Sequence, residues 1–83
     1  LMYRILLVDD HQIIRDGVRQ LLSGETDLRV VAEANNAREA LRELEIQMPD
    51  IVITDLSMPG LEGFGLIEAI NEKAPDTQVI VLS

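Results

Sequence analysis

Three aspartates stand directly after two short apolar runs, and their positions are the first sign of chemistry in this chain. Asp9 and Asp10 follow the run Ile5–Val8, and Asp55 follows the run Ile51–Thr54. If both runs are buried strands, the carboxylates meet where the strands end, and at ~5 Å and an effective dielectric of ~20 each like-charged pair costs about 3 kcal/mol. Oxygen ligands of this kind suit Mg²⁺, which would relieve the repulsion. One carboxylate can then act as a nucleophile toward phosphorus and form an acyl phosphate.

A simpler interpretation treats an aspartate after a strand as a helix N-cap or turn former. That alternative stays open for Asp9 or Asp10 taken singly. It accounts less well for all three aspartates together with Ser83, which follows a further apolar run, although Ser83 alone can simply be the last residue of a strand. We interpret His11 as a polar residue in the first turn of a helix rather than a metal ligand or phosphodonor.

The composition limits the class of protein. The chain has 83 residues, enough for one small domain, and a net charge of −8, which disfavours nucleic-acid binding by this segment. It contains no cysteine, which excludes disulfides and thiolate metal sites and fits a reducing compartment, so we expect a cytoplasmic location. The apolar runs are too short to span a bilayer, and the acidic pair Asp9–Asp10 interrupts any signal peptide.

Hydrophobic spacing predicts alternating strands and helices. Four strands are expected, at Ile5–Val8, Leu28–Ala34, Ile51–Thr54 and Val79–Leu82. Three helices are expected from apolar residues at helical spacing, namely Ile14, Val18, Leu21 and Leu22, then Ala37, Ala40, Leu41 and Leu44, then Phe64, Ile67, Ile70 and Ala74. Asn36 and Glu39 resemble a capping arrangement for the second helix. This alternation predicts a parallel sheet with right-handed crossovers and helices on both faces, in which ligands bind beyond the carboxyl ends of the strands.

The chain resembles the receiver domain of two-component response regulators over its whole length, on three segments in the right order: Val8–His11, Thr54–Gly60 and Val79–Ser83. The first segment, together with Arg15, Gly17 and Leu21–Leu22, is similar to the NarL/FixJ subfamily, whose members usually carry a C-terminal LuxR-type helix-turn-helix. The resemblance implies an α/β, flavodoxin-like (CheY-like) doubly wound parallel sheet. The fold is expected to be incomplete, with four strands and three helices, because a fifth strand and two further helices are missing.

The resemblance also implies roles for individual residues. Asp55 would be the phosphoacceptor, and Mg²⁺ would be held by Asp9, Asp10, Asp55 and the backbone carbonyl of Ser57. Ser83 would be the switch hydroxyl that bonds the phosphoryl group. Met58, Pro59 and Gly60 would form the loop beside the acceptor.

The implied partner is a sensor histidine kinase, whose phosphohistidine is the donor. Such kinases typically dock on the first helix, here around Ile13, Ile14 and Gly17, and we expect Ile13 to be exposed while Ile14 and Val18 belong to the core. DNA binding would require the absent C-terminal domain, so residues 1–83 are expected to be the N-terminal part of a receiver domain without an output domain. No membrane contact is expected.

The sequence departs from the family pattern where the fifth strand would supply a lysine that contacts the phosphoryl group. Lys73, the only lysine, is predicted near the end of the third helix, toward the opposite end of the sheet, and is a poor substitute. The run Val79–Leu82 is apolar throughout and would lie at a sheet edge without its covering helix. We therefore expect the chain to self-associate, by strand exchange or edge pairing, or to be a fragment of a longer protein.

Three functions remain in competition. The leading hypothesis is a phosphoacceptor module that switches a downstream, transcriptional output and has at most weak autophosphatase activity. The missing lysine favours a second hypothesis, a phosphorylation-silent domain used for dimerisation or interaction. A third, a magnesium-dependent phosphatase with an aspartyl nucleophile, is disfavoured because that family places its two acids one residue apart, whereas Asp9 and Asp10 are adjacent.

Overall fold

A computed structural model gives the fold, and it describes residues 2–55 and 63–82. Strands and helices alternate along the chain in the order β1 (Tyr3–Val8), α1 (Gln12–Leu22), β2 (Leu28–Ala34), α2 (Ala37–Gln47), β3 (Ile51–Asp55), α3 (Gly63–Lys73) and β4 (Gln78–Leu82). Each predicted strand and helix is present. β2 has the predicted bounds, and the other three strands begin or end within two residues of the prediction.

The four strands form one parallel sheet in the order β2-β1-β3-β4. This is the flavodoxin-like, CheY-like arrangement that the resemblance implied. Val8 of β1 is in register with Ala34 of β2 and Thr54 of β3, and Asp55 is in register with Leu82 of β4. The carboxyl ends of the four strands therefore lie side by side at one edge of the molecule.

Alternate residues of the strands supply two separate cores. Ile5, Leu7 and Ile53 point toward α1, where Val18 and Leu22 pack against them. The intervening strand residues face α2 and α3 and form the larger cluster with residues of those helices. Its members are Leu6, Val8, Ala34 and Val52 from the strands and Ala37, Ala40, Leu44, Leu66 and Ile70 from the helices. A strand buried on both faces must be apolar at nearly every position, which explains the continuous apolar runs in β1 and β3.

The predicted cap of α2 is confirmed. The Glu39 backbone N–H donates to Asn36 Oδ1 at 2.9 Å. The Glu39 side chain reaches back one residue further than a capping box requires, because its Oε1 accepts the Asn35 N–H at 2.9 Å. α2 ends at Gln47, and the following C-cap residue, Met48, takes the left-handed conformation at φ 47° that glycine usually adopts at helix ends.

Two helices are rotated differently from the prediction. On α1, Ile14 and Leu21 were expected to belong to the apolar face but are 46% and 80% exposed. The α1 residues that pack against the core cluster are Val18 and Leu22. On α3, Leu66 is fully buried and Ile67 is only partly buried, since the row at i, i+4 formed by Leu66 and Ile70 faces the sheet.

β4 is the edge strand on one side of the described sheet, as the sequence predicted. Ile80, Val81 and Leu82 are exposed, while Val79 packs against the larger core cluster. Among residues 2–55 and 63–82, no helix is both long and apolar enough to cross a membrane.

Candidate metal centre at the carboxyl end of the sheet

Strand register brings the aspartates of β1 and β3 to the same level. β1 and β3 are neighbours in the sheet, and the pair Val8–Thr54 is the last in register between them. Asp9 follows Val8, and Asp55 follows Thr54. Since parallel strands point the same way, both carboxylates leave the sheet at the edge where ligands bind in this class of fold.

The side chains of Asp9, Asp10, His11 and Asp55 meet at this edge. Each offers one possible ligand atom, and these four atoms all lie within 4.8 Å of one another. The convergence of three carboxylates that the sequence predicted is therefore present. A ring nitrogen of His11 also belongs to this group of atoms, whereas the sequence analysis interpreted His11 only as a polar residue in the first turn of a helix.

Asp9 is the most deeply buried member, with 6% of its surface exposed. Its Oδ1 accepts the backbone N–H of His11 at 2.8 Å and lies 3.1 Å from His11 Nδ1. The turn-forming role that the sequence left open is thus real for Asp9, and it coexists with membership of the cluster.

Asp10 and His11 are exposed, and Asp55 is partly buried at the end of β3. His11 Nδ1 lies 2.9 Å from Asp10 Oδ1, so one imidazole nitrogen contacts the carboxylates of both preceding residues. The three carboxylates supply hard oxygen donors, which fit Mg²⁺ or a similar divalent cation. An imidazole nitrogen by itself would suit a transition metal better.

Arg15 supports this edge of the sheet in a way that the sequence did not predict. Its side chain is buried and donates to the backbone carbonyl of Asp9 at 2.5 Å. The sequence feature that could have identified Arg15 is its position four residues after His11, one helical turn along α1 from the acidic pair. Lys73 lies elsewhere, because its Nζ donates to Glu45 at 3.0 Å where α2 and α3 end, as the sequence anticipated.

Other predicted site residues divide into two groups. On α1, Ile13 is 83% exposed, Ile14 is half-exposed, and a Cβ added at Gly17 would meet nothing within 4 Å. The remaining predictions, on Ser57, Met58, Pro59, Gly60 and Ser83, lie outside the described residues.

The sequence matches the protein-family model of the response regulator receiver domain over residues 5–83. The chain belongs to this family, the receiver modules of two-component signalling, and its strand order and acidic cluster agree with that membership. A receiver domain is typically a phosphoacceptor rather than an enzyme, and it implies a histidine kinase as partner. The acidic cluster is consistent with the phosphoacceptor site.

Curated relatives are transcriptional regulators. The chain is 41% identical over 80 residues to the uncharacterized transcriptional regulatory protein YhcZ of Bacillus subtilis. It is 39% identical over 79 residues to the nitrate/nitrite response regulator protein NarL of Escherichia coli. The alignments cover 96% and 95% of this chain, but the chain spans only 37% of the length of each relative. The resemblance to NarL- and LuxR-type regulators is confirmed.

Solved structures agree with this assignment. The isolated receiver domain of RcsB from Salmonella enterica serovar Typhimurium, determined with the phosphomimetic BeF3⁻, superposes with a TM-score of 0.93 at 31% identity. That comparison covers 98% of this chain and 61% of the RcsB chain. The receiver domain of the putative response regulator NarL from Mycobacterium tuberculosis gives a TM-score of 0.89 at 31% identity, covering 96% of this chain and 64% of that one.

Proposed function

We propose that Asp55 accepts a phosphoryl group from the phosphohistidine of a sensor kinase, with Mg²⁺ held by Asp9, Asp10, Asp55 and the backbone carbonyl of Ser57. The observation that carries this proposal is the meeting of the three carboxylates within 4.8 Å, in a chain that belongs to the receiver family. A cation is needed there because a dianionic phosphoryl group would otherwise approach three negative charges.

The transfer itself requires little covalent machinery. A carboxylate oxygen of Asp55 attacks phosphorus, a P–O bond forms, and the P–N bond to the donor imidazole breaks. The electron pair of that bond stays on the leaving nitrogen. A bound divalent cation supplies charge neutralisation, and the chain supplies position. β3 holds Asp55 by its register with β1 and β4, and the buried Asp9 fixes one side of the cluster.

The response is proposed to run through Ser83 and the loop formed by Met58, Pro59 and Gly60. Leu82, which precedes Ser83 in sequence, pairs with Asp55 across β3 and β4 at the carboxyl end of the sheet. A hydroxyl there can bond the phosphoryl group and bias a two-state element that a partner reads. We further propose that residues 1–83 are the N-terminal part of a receiver domain whose output is transcriptional. Any DNA contact would be made by a C-terminal helix-turn-helix.

Mass spectrometry tests the phosphoacceptor role directly. The full-length protein, incubated with acetyl phosphate and Mg²⁺, should gain one phosphoryl group, and Asp55→Asn should abolish the adduct. Asp50→Asn is the matched control, because Asp50 precedes the same strand at its other end and should leave the adduct intact. Absence of both adduct and Mg²⁺ binding would instead indicate a silent interaction domain. Turnover of a free phosphomonoester would indicate a phosphatase.

The kinase is proposed to dock on α1 around Ile13, Ile14 and Gly17. The exposure of all three, immediately after the acidic cluster in sequence, supports this surface. Ile13→Asp should slow phosphoryl transfer from a sensor kinase that phosphorylates the unmodified protein, while acetyl phosphate should label both proteins at the same rate. An equal loss with both donors would mean that Ile13 acts on the site rather than on docking.

Self-association of the isolated 83-residue chain is proposed to occur through β4. The support is the exposure of Ile80, Val81 and Leu82 on an edge strand, which leaves apolar side chains and backbone groups available to a second copy. Ile80→Lys should lower the association constant measured by sedimentation. Ile46→Lys, which changes an exposed isoleucine on α2, should not. A compact monomer at all concentrations would contradict the proposal.

A further inference from the structure

Arg15 is the one buried cation among the residues that the structure describes. Only 7% of its surface is exposed, and the other buried charged side chain of that part is Asp9. Burying a guanidinium is unfavourable unless its donors are used, so its position requires an explanation in its bonds.

Three acceptors use the Arg15 donors, one directly after β1 and two at the end of β2. Nε donates to Glu33 Oε1 at 2.9 Å, on β2. Nη1 donates to the backbone carbonyl of Asp9 at 2.5 Å and to Asn35 Oδ1 at 2.6 Å, where β2 ends. A planar guanidinium with donors at fixed angles can satisfy this set, which a lysine ammonium cannot reproduce.

These bonds fix the backbone of Asp9 from both sides. The Asp9 N–H donates to the carbonyl of Ala34 at 3.1 Å, and the Asp9 carbonyl accepts from Arg15. The peptide that follows this carbonyl belongs to Asp10. The orientation of both carboxylates of the acidic pair thus depends on a peptide that Arg15 holds.

Charge balance explains why Arg15 does not neutralise the cluster. Its counterion is Glu33, whose second oxygen pairs with Arg19, and Arg19 also pairs with Asp16 at 2.7 Å. Because Glu33 satisfies the Arg15 charge, the guanidinium contacts Asp9 through the neutral carbonyl. The Asp9 carboxylate then remains a ligand for a cation.

We propose that Arg15 is a positioning residue for the cation site: it holds the Asp9–Asp10 peptide so that both carboxylates face Asp55. The inference deepens the proposed function and rests on it for the identity of the cation. Residues of this kind, which orient metal ligands without touching the metal, typically contribute about 10- to 100-fold to metal affinity.

Calorimetric titration with Mg²⁺ tests the inference in the full-length protein. Arg15→Lys, which keeps the charge but loses the fixed donor geometry, should weaken Mg²⁺ binding about tenfold. The matched control is Arg19→Gln, because Arg19 lies on the same helix and pairs with the same Glu33 but is exposed and is bonded to Glu33 and Asp16. It should leave the Mg²⁺ affinity within about twofold, a difference expected of a surface pair.

Circular dichroism and thermal unfolding on the same samples separate positioning from folding. A purely structural Arg15 would lower the unfolding temperature while the folded molecules bound Mg²⁺ normally. If Arg15→Lys does not fold, Asn35→Ala decides, because it removes one of the two acceptors of Nη1 without leaving a buried charge unpaired. That variant should weaken Mg²⁺ binding about threefold, less than the ~10-fold expected for losing the whole orienting residue, because it removes only one of the three bonds of Arg15.

The failures are distinguishable. If the unmodified protein binds no Mg²⁺ and forms no adduct, the proposed function itself is wrong. If it binds Mg²⁺ and the folded Arg15→Lys variant, or Asn35→Ala in its place, binds equally well, Arg15 is not a positioning residue. An equal loss in Arg19→Gln would also overturn the inference, since Arg19 does not reach Asp9.

Discussion

Both ends of the β-sheet carry aspartates, but the groups that surround the carboxylates differ between the two ends. At the amino end, Asp50 Oδ2 accepts the backbone N–H of Arg4 at 2.8 Å, and the Asp50 N–H donates to the Arg4 carbonyl at 2.8 Å. At the carboxyl end, Asp9, Asp10 and Asp55 bring ligand oxygens within 4.8 Å of one another. At the amino end, a carboxylate links two segments of the chain by a hydrogen bond. At the carboxyl end, three carboxylates lie close to one another.

The cations are distributed accordingly. Lys73 pairs with Glu45 near the amino end of the sheet. Within the described part of the chain, the carboxylates of Asp9 and Asp10 contact His11 Nδ1, and the nearby Arg15 is directed to Glu33 and a backbone carbonyl. The amino end therefore stabilises the fold as it stands, whereas the carboxyl end would gain stability from the cation that we propose to bind there. This is the usual conflict between stability and function at a charged site.

The largest expected difference between the two ends is the response to Mg²⁺. A ligand present at about 100 times its Kd stabilises the protein that binds it by about 2.7 kcal/mol. We expect most of this stabilisation to disappear in Asp9→Asn, which keeps the bond to the His11 N–H but loses a charged ligand. Asp50→Asn should retain it. The measurement is urea unfolding of the receiver domain in the full-length protein, with and without Mg²⁺. Equal stabilisation of both variants would mean that the cation binds somewhere else.

A second expected difference has opposite signs at the two ends in metal-free protein. Asp10→Asn removes repulsion from two neighbouring carboxylates and should stabilise the fold by about 1 kcal/mol at low salt. This is below the ~3 kcal/mol expected at an effective dielectric of ~20, because Asp10 is exposed and water screens its charge. Asp50→Ala removes the acceptor of the Arg4 N–H and should destabilise by about 1 kcal/mol. Unfolding midpoints in the presence of a chelator give both values. Destabilisation by Asp10→Asn would contradict the view that this end is strained by like charges.

The carboxyl end was the more predictable of the two from sequence. Strands that are apolar on both faces indicated a parallel sheet. In a parallel sheet, residues that follow neighbouring strands lie at the same edge, so the sequence alone predicted that Asp9 and Asp55 lie close together. The capping of α2 by Asn36 was predictable because it depends on residues three apart.

Features that depend on how a helix is rotated, or on partners distant in sequence, were not predictable. Ile14 shares the helical spacing of Val18, and only the docking of α1 decides that one is half-exposed and the other packs on the core. The sequence places Arg15 one helical turn along α1 from the acidic pair but does not reveal its partners, because Glu33 lies on β2 and Asn35 directly after it. Its burial against them is a property of the assembled sheet.

The smallest expected difference concerns salt. Raising the ionic strength from about 0.05 M to about 0.5 M shortens the screening length from about 14 Å to about 4 Å. The repulsion among the three carboxylates extends over several ångströms at a solvent-accessible edge, so the stabilisation by Asp10→Asn should fall to about half. The cost of Asp50→Ala should hardly change, since it reflects one short hydrogen bond to a neutral N–H. Tetramethylammonium chloride is the appropriate salt, because its bulky cation is too large for the site that we propose for Mg²⁺. If salt altered both values equally, the two ends would not differ in electrostatic strain, and the stabilisation by Asp10→Asn would have to come from the new amide rather than from the lost charge.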